Sequence, residues 1–170
     1  MLKYLVPDMA VDNIHEINLD ALKNKGIKGV ILDIDNTLES HKTPKPSQKT
    51  LEFLKKLEEN GFKICLISNG REERVKLFNE DLSYFALAKA GKPTKRGYLA
   101  GMKSMNLTQG ETAMIGDQLF TDVFGAKRCK MYAILVTPIE SIENGFFYIK
   151  RFFENIIKRK MMKNTNGEEK

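Results

Sequence analysis

Short apolar runs alternate along this chain with longer stretches whose apolar residues recur at helical spacing. Runs that are apolar on both faces suit strands buried within a parallel sheet, and the amphipathic stretches suit the helices that cross from one strand to the next. Strands are expected at residues 29–32, 62–67, 84–88, 112–115 and 132–136. The pattern predicts an α/β fold with a mainly parallel central sheet of about five strands, contained in one domain over residues 1–170.

Between the first two strands, Ser47 follows Pro46 as an N-cap, Leu51, Leu54 and Leu57 mark a helical face, and Gly61 offers a left-handed stop. Further helices are expected over 71–81, 94–106 and 121–130. Residues 1–27 read as an N-terminal segment packed on the core. A closing amphipathic helix over 142–162 gathers Phe146, Ile149, Phe153, Ile156 and Ile157 on one face, with Lys150, Lys158, Arg159 and Lys160 elsewhere. Residues 163–170 form a polar, frayed tail.

The 28 basic residues exceed the 22 acidic ones, giving a net charge of +6 that favours anionic partners without choosing among them. Cys65 and Cys129 lie in or beside apolar runs with no second ligand at metal spacing, so both are expected as core residues in a reducing compartment. No stretch reaches the ~20 apolar residues a membrane span requires. A cytoplasmic location is expected, with contact at the inner face of the membrane left open. His15 and His41 have no partners at a spacing that suggests chemistry.

The candidate chemistry sits where the strands end. Asp33 and Asp35 break an apolar run in ILDIDNTLES, and acids in that position are costly unless a cation compensates them. A second apolar run ends in Gly116 and Asp117, with Asp122 about one helical turn on. Ser68 and Asn69 follow another strand and suit phosphoryl oxygens, and Lys92 precedes Pro93 after the next. In an open parallel sheet these strand ends share one rim, so the groups are expected to converge there. Neutralising a dianionic phosphate with a metal and Lys92 would let Asp33 attack phosphorus, while Asp35 moves the protons.

Taken together, these residues resemble the four motifs of the haloacid dehalogenase-like phosphatases, in the right order and across most of the chain. Asp33, Asp35 and Thr37 match the first motif, Ser68 the second, Lys92 the third, and Asp117 with Asp122 the fourth. The resemblance implies a three-layer Rossmann-like sandwich, a Mg2+ cofactor, and Asp33 as nucleophile and metal ligand. It implies that Asp35 offers its main-chain carbonyl to the metal and its carboxyl to proton transfer, and that Asp117 is the third protein ligand. Thr37, Ser68, Asn69 and Lys92 would hold the phosphate, with Asp122 in support. Only 34 residues separate Asp33 from Ser68, and 23 separate Ser68 from Lys92, which leaves no room for an inserted cap domain.

The start of the chain, YLVPDMAVDNIHEINLDALKNKGIKGVILDIDNTL, more narrowly resembles the YqeG-type bacterial phosphatases and the related mitochondrial phosphatidylglycerophosphate phosphatases. That likeness implies a phosphorylated substrate such as a lipid head group. The basic 142–162 helix would suit peripheral membrane contact, but it is expected instead to pack its Phe and Ile face on the sheet and leave its lysines in water. Two other readings are a soluble nucleotide or sugar-phosphate phosphatase, and a non-catalytic protein that binds RNA or an assembly factor. Nucleic acid is not an expected partner, because no RNA-binding motif is present. The oligomeric state stays open.

Overall fold

The computed structural model describes residues 2–140, so the expected 142–162 helix and 163–170 tail lie outside the described residues. Its strands are β1 (Met9–Val11), β2 (Gly29–Leu32), β3 (Lys63–Ile67), β4 (Phe85–Leu87), β5 (Thr112–Gly116) and β6 (Tyr132–Val136). They pair in parallel in the order β1-β6-β5-β2-β3-β4. The helices are α1 (Leu19–Asn24), α2 (Gln48–Glu59), α3 (Glu72–Asn79), α4 (Lys95–Met105) and α5 (Gly125–Arg128). The elements all fall within one compact unit, Met1–Ile139.

Alternation along the strands creates the two covered faces. Val30 and Leu32 of β2 join Leu22, Phe53, Leu54, Leu57, Val75 and Phe78 in one buried cluster, which places α1, α2 and α3 on that side. Ile31 points the other way, toward α4. A Cβ built on Gly101 would come within 2.7 Å of Ile31 Cδ1 and 3.0 Å of Cys65 Sγ, so only glycine lets α4 lie this close to the sheet. The result is the expected three-layer α/β sandwich. Both cysteines are buried and free.

The sheet has one strand more than the pattern predicts. The extra strand, β1, comes from the N-terminal segment, and its three residues are too few and too unevenly buried to register as a strand on their own. Pairing with β6 creates it. Asp8 N donates to Ala133 O at 2.8 Å, and Ala133 N donates to Asp8 Oδ2 at 2.8 Å, which sets the register Met9↔Ile134. The same segment forms α1, capped by Asn18, whose side chain accepts from Ala21 N.

The other boundaries fall within a residue or two of expectation, apart from the 121–130 helix. Here a π-helical turn, Leu119–Phe124, precedes the short α5. The Asp122 and Val123 amides both donate to Gln118 O, at 2.9 and 3.2 Å, and the widened turn brings the Asp122 carboxylate back against Gly116. The interval from Asp33 to Ser68 holds a loop, α2 and β3, and the interval from Ser68 to Lys92 holds α3 and β4, with no inserted domain in either. Among the described residues no helix is long and apolar enough to cross a membrane.

Candidate active site

The carboxyl ends of β5, β2 and β3 are neighbours at the centre of the sheet, and each delivers a polar side chain as it ends. Asp33 continues β2, its amide donating to Ile115 O at 3.0 Å. Ser68 continues β3 by donating to Leu87 O at 3.0 Å, and Asp117 follows β5 directly. Lys92 enters from the loop after β4. Its Nζ lies 2.8 Å from Asp33 Oδ1 and 2.7 Å from Asp122 Oδ1, with its side chain 2% exposed. Thr37 Oγ1 donates to Asp117 Oδ1 at 3.3 Å. Ser68 Oγ donates to Asp35 Oδ2 at 3.3 Å and accepts from Gly70 N at 2.9 Å. Asp33, Asp35, Ser68, Asn69 and Lys92 line one cavity of about 80 Å³.

This packing leaves negative charge in surplus. Burial and the nearby Asp122 push the Asp33 carboxyl up to about 8, against the pull of Lys92. Burial and Asp122 also push Asp117 up to about 6. Burial alone would lower Lys92, but Asp122 and Asp33 outweigh it and hold the ammonium protonated well above its ordinary range.

A model of the haloacid dehalogenase-like hydrolase family matches residues 19–130, which carry every one of these groups. The chain belongs to the haloacid dehalogenase-like hydrolases. Within that family it is an enzyme of the phosphatase type. It is 38% identical over 157 residues to the probable phosphatase YqeG of Bacillus subtilis (strain 168), covering 92% of this chain and 90% of that one. It is 25% identical over 174 residues to a chloroplastic/mitochondrial phosphatidylglycerophosphate phosphatase 1 of Arabidopsis thaliana, covering 95% of this chain but 49% of that protein. Among solved structures, a phosphatase of this family from Thermococcus onnurineus superposes with a TM-score of 0.55 at 17% identity, over 70% of this chain and 90% of that one. An uncharacterized protein from Listeria monocytogenes serotype 4b gives 0.54 at 22% identity, over 64% and 78%. At these identities the structural likeness is one of fold.

The hydrolase's acidic cluster fits a divalent cation. Carboxylate oxygens of Asp33, Asp117 and Asp122 lie within 4.8 Å of one another, and the Lys92 ammonium pairs with two of the three, Asp33 and Asp122. Hard oxygen donors with uncompensated charge are what Mg2+ and its relatives bind. Both Asp122 oxygens are engaged, Oδ1 by Lys92 and Oδ2 by Gln118 N at 3.0 Å. Asp33 and Asp117 therefore remain as the carboxylates able to hold a metal, with Asp122 anchoring Lys92.

The hydrolase brings all eight sequence-derived residues to the rim, though two make contacts other than those expected. The Asn69 amide grips the Lys92 backbone, donating to its carbonyl at 2.9 Å and accepting from its N–H at 2.8 Å. Thr37 faces Asp117. Sequence reasoning missed Arg74, whose Nε donates to Asp35 Oδ1 at 3.3 Å. Its one available signal was a position in the first turns of the helix that follows Ser68, where side chains can reach back over the rim.

Proposed function

We propose that this hydrolase is a magnesium-dependent phosphomonoesterase that forms an aspartyl-phosphate on Asp33 and acts on a bulky ester, with the phosphatidylglycerophosphate head group its leading candidate. The observation that carries this reading is the buried Asp33 carboxylate, 2.8 Å from the Lys92 ammonium in a cavity shared with Asp35 and Ser68. Asp33, Asp117 and the Asp35 carbonyl would hold Mg2+, which when bound offsets the charge of the phosphate and of the acids around it.

Asp33 attacks phosphorus as the ester P–O bond breaks, and Asp35 delivers a proton to the departing alkoxide. Water then attacks the aspartyl-phosphate, its proton passes to Asp35, and the P–O bond to Asp33 breaks to release inorganic phosphate. Lys92 stays beside the reacting carboxylate throughout, and the Asn69 amide fixes the backbone from which it reaches.

The substrate proposal is supported by the activity for which the Arabidopsis relative is named and by the shape of the site. A cavity of about 80 Å³ accommodates a phosphoryl group and leaves the rest of the molecule outside. A substrate of that kind implies a cytoplasmic enzyme working at the inner face of the membrane. Phosphate release should be measured from phosphatidylglycerophosphate vesicles and from a panel of nucleotides and sugar phosphates, with Mg2+ or with a chelator. Release from vesicles that needs Mg2+ and vanishes in Asp33→Asn is expected. Equal turnover in the variant would end the mechanism, and strong preference for one soluble metabolite would end the lipid assignment alone.

A further inference from the structure

We propose that Arg74 is a positioning residue that fixes the carboxylate of Asp35 for proton transfer, an inference that rests on the phosphatase mechanism above. One guanidinium ties three parts of the structure together. Nε donates to Asp35 Oδ1 at 3.3 Å, one terminal nitrogen to Pro44 O at 2.8 Å, and the other to Ser40 O at 3.4 Å. The guanidinium carbon also lies over the Phe78 ring, 5.3 Å from the centroid, and the side chain is only 16% exposed. A planar fork with several donors in fixed directions can satisfy such a set, and a lysine ammonium cannot.

The geometry around Asp35 shows why this matters. Its Oδ2 accepts from Ser68 Oγ, and its Oδ1 accepts from Arg74. Ser68 has a single hydroxyl proton, and the mechanism calls on that hydroxyl to hold a phosphoryl oxygen. Once Ser68 turns to substrate, Arg74 is the remaining side chain among those described that fixes the carboxylate. Anchored also to the 40–44 loop and to α3, Arg74 holds Asp35 facing the cavity while the ester bond breaks. A general acid must sit within hydrogen-bond reach of the departing oxygen, so a freely rotating Asp35 would lose most of its effect.

The test uses leaving groups. An alkyl phosphate needs a proton delivered to its departing oxygen, whereas p-nitrophenyl phosphate expels a stable phenolate without one. Because kcat/KM reports steps only through formation of the aspartyl-phosphate, it isolates this requirement. In Arg74→Ala, kcat/KM for the alkyl ester should fall about 10²-fold, the low end of what a positioned acid supplies, and for the aryl ester by much less. Millimolar guanidinium should restore part of the alkyl activity in that variant. Arg74→Lys, which keeps the charge and loses the fork, should show the same imbalance even if the alanine variant folds poorly. Equal losses on both esters, or no loss on either, would overturn the proposal. A wild-type chain that hydrolyses neither ester removes the phosphatase reading itself and this proposal with it.

Discussion

Replacing Asp33 by asparagine should end turnover and yet stabilise the metal-free protein. In the unfolded chain this carboxyl sits at its ordinary 3.8, whereas the fold pushes it up to about 8, chiefly by burial and by Asp122. Folding at neutral pH therefore forces an ionised group toward its protonated form. One pKa unit corresponds to about 1.4 kcal/mol, so the roughly three units between the ordinary value and pH 7 set a ceiling of ~4 kcal/mol against folding. Asparagine also gives up a charge-assisted bond from Lys92, which brings the expected gain nearer ~2 kcal/mol. For a chain of this size that is a rise in Tm of roughly 4–8 °C. The sign of the pH dependence follows from the raised value. Below about pH 4 the group is protonated in both states and imposes no cost; the cost grows as pH rises and levels off above about pH 8. Melting both proteins in chelator across this range should show a gap in favour of Asp33→Asn that widens with pH. Added Mg2+ should then lift the wild type far more than the variant. A wild type at least as stable as the variant at about pH 8 in chelator, or a gap that narrows with rising pH, would refute the account of the buried charge.

Three further substitutions probe the supports of the site. Gly116→Ala would drive a methyl into the Asp122 side chain, and since Asp122 anchors Lys92 the variant should lose ~1–3 kcal/mol in a denaturant melt together with most of its activity. Asn69→Ala removes both bonds that hold the Lys92 backbone, so kcat should fall with a stability loss of ~1–3 kcal/mol, read by phosphate release and by melting. Lys92→Met leaves Asp33 and Asp122 facing each other without their ammonium, and chemical denaturation at neutral pH should register a loss of ~3–5 kcal/mol.

Much of this architecture is legible in the sequence because burial on both faces leaves a continuous apolar signature. Val30, Ile31 and Leu32 are all fully buried, and an acid placed straight after such a run is difficult to explain without a use for it. Asp33 and Asp117 were readable for that reason. β1 was not, because three partly exposed residues become a strand only when β6 is alongside. Arg74 was hidden by distance. Its partners lie 30 to 39 positions away, and within EERVK it resembles an ordinary solvated charge. The sequence pattern assigns Asn69 to phosphate binding, and only the fold shows that its amide holds the Lys92 backbone. Likewise the 3.6-residue period expected over 121–130 gives way to a wider turn because Asp122 has to reach back toward Lys92.

The order of the strands also bears on how the chain is made. The strand that leads into Asp33, β2, is flanked by β3 and β5, and Met9 of β1 waits for Ile134, 125 positions further along the chain. Domains emerge from the ribosome starting at the N-terminus, and pairings between distant segments form slowly. A nascent chain therefore exposes Asp33 and Asp35 well before Lys92 and Asp117 have been synthesised. The cluster of Asp33, Asp117 and Asp122 is incomplete until nearly all of residues 2–136 are available, and the earliest described strand of the sheet is among the last to find its place.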